Sequence, residues 1–261
     1  MNEALTFFAV LVRYGTLFAI VPILGDRMIP LPIKILSSLA ITAALYPALV
    51  KTGSINPEAA TIWGSTTSTI IYTIALETIF GLALGYCSKL VFDGVQFGAN
   101  ITGNLMGFAS ASQYDPHQET QTEIIAHLQM TLAMLLFLVM DGHHLFLRAA
   151  MDSYKIVGIG SMNMGGMFSK QLIQMTGDTF ILGMQLAAPV SVSLFLVNVL
   201  YGVMAKNMPQ MNILVLSFSI SALLGFIILL LTMPEFAAVV TENFGMIYNK
   251  LVRVMTVMHG Q

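Results

Sequence analysis

The sequence predicts an all-α membrane protein built of long helical hairpins. Three observations carry that expectation. First, 56% of the 261 residues are hydrophobic and only 9% are charged, whereas an ordinary soluble domain has about 25% charged residues. With a mean hydropathy of +0.81, a soluble core of this length would have too little polar surface to cover it. Second, the apolar residues gather in six segments that approach the roughly 20 residues needed to cross the hydrocarbon core as helix. Third, runs such as Gly225–Leu231, GFIILLL, lack the apolar–polar alternation of a membrane β-barrel.

The same counts exclude a soluble enzyme and a disordered chain. A formal net charge of −2, with no basic face, gives nothing to steer the chain toward phosphate, so no nucleic-acid partner is expected. The single cysteine, Cys87, excludes a disulfide framework and a cysteine-built zinc site.

Taken in order, the first segment is Ala4–Leu24, interrupted by Arg13. Glu3 precedes it, no basic residue leads it, and no small-residue cleavage pattern follows. It is therefore expected to be a retained helix rather than a signal peptide. The second, Ile33–Val50, opens with Lys34, and the third, Thr69–Phe92, carries Glu77 and Lys89. The fourth, Ile124–Met140, contains His127 and Gln129, and the fifth, Phe180–Ala205, contains Gln185, Pro189 and Asn198. The sixth, Ile213–Met233, is uncharged. An intramembrane charge costs about 2.5–3.5 kcal/mol on insertion scales. Short, charge-bearing segments therefore suit a subunit packed among other subunits. If all six cross, the basic residues divide weakly, with Lys51, Arg148, Lys155, Lys170, Lys250 and Arg253 on one side and Arg27, Lys34, Lys89 and Lys206 on the other. That leans toward cytoplasmic termini.

The connections are informative too. Residues 93–123 hold glycines at 94, 98, 103 and 107, two small-xxx-small spacings that let helices approach closely. Tyr114-Asp115-Pro116 then breaks any helix, and Glu119 and Glu123 suit the start of the next. A helix, a loop at its tip and a returning helix are expected, and loops of this length are uncommon unless functional. A second long connection, Asp141–Thr179, has a glycine- and methionine-rich centre, Gly158–Gly166. Phe236, Val239, Val240, Phe244, Ile247, Leu251 and Val254 recur at helical spacing, which predicts an amphipathic helix over Pro234–Met258 lying on a membrane or a partner.

Little here points to catalysis, and no nucleophile elbow, phosphate loop or zincin helix is present. Asp141-Gly142-His143-His144 reads as a polar helix end, because adjacent histidines do not share a helix face. Arg13, Glu77 and His127 read as intramembrane polar pairing, with a proton pathway as the competing reading. The 19 methionines are scattered, which suits adaptable packing better than copper ligation. Neither metal nor cofactor is expected. Asn207–Asn212, NMPQMN, reads as a hairpin tip. Pro209 turns the chain there, and Lys206, Gln210 and Asn212 are available to freed backbone groups or to a neighbouring chain.

At these motifs the sequence resembles the flagellar biosynthetic protein FliR family, which includes counterparts in virulence-type secretion systems. Tyr201–Leu214, YGVMAKNMPQMNIL, is similar to the family's hairpin tip at Gly202, Pro209, Gln210 and Asn212, with Lys206 standing where an arginine is usual. Gly103–Pro116, Asp141-Gly142-His143, Glu77 with Gly81, and Arg13, Pro22, Pro30 and Lys34 follow in family order, from about residue 10 to 230. Val157-Gly158 departs from it, where a proline is expected.

The resemblance implies a non-enzymatic core subunit of the flagellar type III export gate. One copy would join several of FliP and FliQ in the inner membrane, within the basal body. FlhB would sit at the cytoplasmic entrance, and unfolded export substrates would pass through. It further implies a FliP-like half, residues 1–179, joined to a FliQ-like hairpin with the C-terminal amphipathic helix, residues 180–261. A pore plug would include Gly103, Gly107, Phe108, Ala109, Ser110, Asp115 and Pro116. The competing reading is a small-solute secondary transporter whose binding helix is broken at Pro189.

Overall fold

The structure, a computed structural model, describes residues 2–22, 29–108, 123–162, 165–207 and 213–260, with the side chains of 123 and 213–215 left aside. Among the described residues there is no strand. The helices are α1 (Asn2–Ile20), α2 (Leu31–Lys51), α3 (Ala60–Trp63), α4 (Thr67–Leu105), α5 (Glu123–Val139), α6 (Gly142–Ile156), α7 (Gly166–Asn207), α8 (Ile213–Leu231) and α9 (Met233–His259), with a 3₁₀ turn at Pro57–Ala59. By length and apolarity, α1, α2, α4 and α7 can each cross a membrane. The pairs α5–α6 and α8–α9, each interrupted by a sharp bend, bring the number to six if each pair is one span. The fold class read from composition is thus the observed one.

Several boundaries differ from the sequence expectation. α4 runs on from the third apolar segment to Leu105, because glycines that weaken a helix in water are tolerated where packing holds the backbone. The connection after Asp141 is largely helix: α6 fills its first half, and α7 begins at Gly166 rather than Phe180. Pro189 lies inside α7 without ending it, and Pro47 lies inside α2. The turn after α5 is made at Asp141, the one non-glycine described with a left-handed backbone (φ 56°).

The chain forms two compact units. Residues 1–90, 141–176 and 245–261 make the first, and residues 91–140 and 177–244 make the second. Helices α4, α7 and α9 each contribute to both. This is a division by packing, distinct from the expected division into two family-like halves at residue 179.

In the first unit, α1 packs against α2, with Phe7 and Tyr46 edge to face at 5.4 Å. It also packs against the start of α4, where Gly81 and Gly85 lie against the backbone of Arg13 and Leu17. The end of α9 buries Ile247, Leu251, Val254, Met255 and Met258. Tyr248 donates a hydrogen bond to Asp152 of α6 at 2.8 Å. The amphipathic stripe is real, but the surface that receives it belongs to this same chain.

In the second unit, the end of α4 lies directly on α7. A Cβ on Gly98 would stand 2.5 Å from the carbonyl oxygen of Gly183. Phe97 and Phe180 close the crossing edge to face at 5.2 Å. Phe92, Phe137 and Phe244 form a mutual cluster, with ring centroids 4.8–5.3 Å apart. A further core joins Met106, Ile125, Val190 and Leu194, with Leu224, Ile228 and Leu229 of α8 packed against it.

The helix crossing gives a contrast to measure. Gly98→Ala forces α4 and α7 apart and should cost about 1–3 kcal/mol as an overpacked contact. At Gly177 of α7 a Cβ meets nothing within 4 Å. Gly177→Ala should therefore be neutral or stabilise by about 0.5–1 kcal/mol. Thermal unfolding of the two variants in the same detergent separates these outcomes, and equal shifts would deny the crossing its role.

Candidate functional site

Two regions gather the residues singled out in the sequence. The first is a polar clasp inside the first unit. Arg13 of α1 and Glu77 of α4 are each only 1% exposed. They meet as a two-pronged pair: Nε donates to Oε2 at 2.5 Å and Nη2 to Oε1 at 3.0 Å. Planar guanidinium and carboxylate match in this way, which makes such pairs both strong and directional.

The remaining donors and acceptors of the pair are taken up locally. Arg13 Nη1 donates to Ser153 Oγ at 3.2 Å and to the Val157 carbonyl at 3.1 Å, while Nη2 also reaches the Gly158 carbonyl at 3.4 Å. Glu77 Oε1 accepts the Gly160 amide at 2.9 Å, and Oε2 accepts the Tyr154 hydroxyl at 3.5 Å. The guanidinium carbon stands 3.8 Å from the centroid of Tyr154 and 4.3 Å from that of Phe80, a favourable cation–π arrangement. Tyr14 adds a hydrogen bond to the Ala150 carbonyl at 3.2 Å.

Local sequence makes this possible. α6 ends at Ile156, and its successors Val157 and Gly158 turn their carbonyls inward rather than continuing the helix. Gly160 adopts φ +69°, a conformation open to glycine at no steric cost, and presents its amide to Glu77. The expected proline at this place is thus replaced by a loop that the ion pair itself holds. His127 has no part in the clasp. It lies exposed on α5 in the second unit.

The second region borders the expected plug and hairpin tip. Gly103 is buried in α4. Gly107, just after the helix, has φ +92°, and a Cβ there would press on the Phe218 ring. Phe108 sits edge to face with Phe218 and Phe226, 6.2 Å from each. Ala109, Ser110, Asp115 and Pro116 lie outside the described residues, as do Pro209, Gln210 and Asn212. Lys206 is exposed near the end of α7.

Asp141, His143 and His144 are closer than helix spacing suggests. Their potential ligand atoms lie within 4.8 Å of one another, and the two imidazoles are 4.2 Å apart. The left-handed backbone at Asp141 places all three at the first turn, where spacing rules for a helix interior do not hold. The Asp141 and His144 side chains are 74% and 66% exposed, and the helix N-terminus is the positive end of its dipole. Both facts oppose tight cation binding.

Four to six membrane-competent spans, a buried ion pair tying α1 and α4 to α6 and its following loop, and wide apolar surface define an all-α polytopic membrane protein. The sequence model of the bacterial export proteins, family 1, matches residues 4–247. The chain belongs to that family. It is similar to the flagellar biosynthetic protein FliR of Bacillus subtilis (strain 168), 26% identical over 243 residues, covering 92% of this chain and 90% of the relative. The FliR protein of Escherichia coli (strain K12) is 26% identical over 251 residues, covering 96% and 92%. That of Caulobacter vibrioides is 27% identical over 250 residues, covering 94% and 97%. The family resemblance read from short motifs is thus shown along nearly the whole chain.

The clasp predicts a specific energetic pattern. Removing one member of a buried ion pair strands its partner at a cost of about 3–5 kcal/mol. Arg13→Leu and Glu77→Leu should each lower thermal stability in detergent by that amount. The double variant should lose clearly less than the sum. Additive losses would show that the two side chains do not act as a pair.

Proposed function

We propose that this chain is a core subunit of the flagellar type III protein export gate, forming part of the closed pore through which unfolded flagellar proteins pass. The observation that carries the reading is the family match from residue 4 to 247, together with relatives named as flagellar biosynthetic proteins over more than nine-tenths of this chain. One copy assembles with FliP and FliQ in the inner membrane, within the basal body, and FlhB lies at the cytoplasmic entrance. Residues 1–179 act as a FliP-like half and residues 180–261 as a FliQ-like hairpin with its C-terminal helix. The hairpin tip at Lys206, Pro209, Gln210 and Asn212 contacts neighbouring subunits.

The surface supports a life among neighbours. Phe195, Leu196, Val199, Leu200 and Val203 of α7 are all exposed, as are Leu223, Leu230 and Leu231 of α8. Such continuous apolar surface requires lipid or protein to cover it. The transporter reading loses its main support, because α7 runs through Pro189 unbroken.

The plug follows from side-chain size. A segment that fills a narrow lumen and still moves needs small residues, and Gly107, Ala109, Ser110, Ala111 and Ser112 flank the single bulky Phe108. An apolar constriction blocks ions by excluding water. Native mass spectrometry of the tagged chain, co-expressed with its export-gate partners, should give a large hetero-oligomer holding one copy of this chain. A monomer or homodimer would sink the reading. In the reconstituted assembly, replacing residues 107–112 with a shorter linker should raise ion conductance without preventing assembly. Unchanged conductance would remove the plug assignment.

A further inference from the structure

The second unit contains a cleft that neither the plug nor the hairpin tip accounts for. It is lined by Gln129 of α5, Gln185, Leu186 and Pro189 of α7, Leu229 of α8, Thr232, and Met233, Glu235, Phe236 and Val239 of α9. Gln129 is only 5% exposed. Its side chain makes no hydrogen bond among the described residues. Its polar atoms are not sealed inside the fold; they border an opening, where a group from outside the chain can meet them.

The lining has a consistent chemical sense. Pro189 has no amide hydrogen, so the Gln185 carbonyl four residues before it has no intrahelical donor. The Thr232 hydroxyl already donates its proton to the Ile228 carbonyl at 2.9 Å and has only lone pairs left to offer. Glu235 brings a carboxylate in the first turn of α9, and each of the two glutamines brings a carboxamide that accepts through its oxygen and donates through its NH2 group. Among the described residues no cation lines the cleft. Acceptors, one negative charge and the two carboxamide NH2 groups therefore border a space walled by Leu186, Leu229, Met233, Phe236 and Val239.

The group that best matches the excess of acceptors and the Glu235 charge donates several hydrogen bonds and carries positive charge. It must also sit in apolar surroundings, since Met184 of α7 and Leu230 and Leu231 of α8 are exposed nearby in sequence. Hydrocarbon tails supply no donor. We infer that the Gln129 cleft receives the lysine or arginine side chain of an otherwise apolar helix from another subunit. The inference rests on the proposed assembly and gives it a polar keying point. Charge complementarity of this kind fixes which partner docks and in which register more than it adds raw affinity.

The test uses the full chain co-expressed with its export-gate partners. Glu235→Lys should cut recovery of the hetero-oligomer by about tenfold or more, as expected when like charges are brought together in an interface. Gln129→Leu combined with Glu235→Leu should also cut it, while the isolated double variant unfolds at the wild-type temperature or above. Reversing one partner lysine or arginine to glutamate should restore assembly of Glu235→Lys, which a misfolded variant cannot mimic. Wild-type recovery from both variants would overturn the inference and leave the gate reading intact. Loss of a bound amine-headgroup lipid from the double variant, with all subunits retained, would overturn it in favour of lipid. If the wild-type chain itself brings down no partner, the gate reading falls and this inference falls with it.

Discussion

A guanidinium enclosed by apolar helices must be surrounded by acceptors, and the first unit is organised around that requirement. Arg13 cannot lose its proton to escape burial, so the fold has to bring Glu77 from another helix, Ser153 from a third and two loop carbonyls from residues 157 and 158. Glu77 in turn needs donors beyond Arg13, and the Gly160 amide and Tyr154 hydroxyl supply them. A pair buried this deeply adds little net stability over a well-packed apolar substitute, but a half-made pair is strongly unfavourable. Its effect is to disfavour every arrangement in which α1, α4, α6 and the following loop fail to meet at one point.

The second unit is held by a different means. There the contacts are between backbones and rings, with Gly98 against Gly183 and the aromatic cluster of Phe92, Phe137 and Phe244. Helices in a membrane gain little from hiding apolar surface from lipid, so close fit and satisfied polar groups decide their association. Large exposed residues on α7 and α8 then remain available to neighbours. A subunit that is rigid at its crossings and apolar at its periphery is suited to a multi-chain assembly, which is the sense of the proposed function.

Some of this was legible in the residues. Arg13 and Glu77 stood out because charges are expensive within apolar segments. The spacing of Gly94 and Gly98 announced a close helix approach, and the stripe from Phe236 to Val254 announced an amphipathic helix. Other features had no local signature. The loop at Gly158–Ser161 reads as flexible in sequence, yet Glu77, some 80 residues earlier, fixes it. α9 reads as a helix in search of a membrane or partner, and its partner is its own chain. His127 looks like a member of the polar set by composition, but helix rotation leaves it exposed while turning Gln129 inward.

By itself the sequence determined the class of structure. A chain with so few charges and such long apolar runs can satisfy its backbone in a membrane only as helices, and the motif order from Arg13 to Asn212 carried the family. It also marked the residues whose burial would be costly. Only the tertiary structure decided which of those residues meet. Periodicity fixes the face a side chain occupies on its own helix, but not which other helix that face is turned toward. That is why the partner of Arg13, the surface beneath α9 and the cleft beside Gln129 came from the fold.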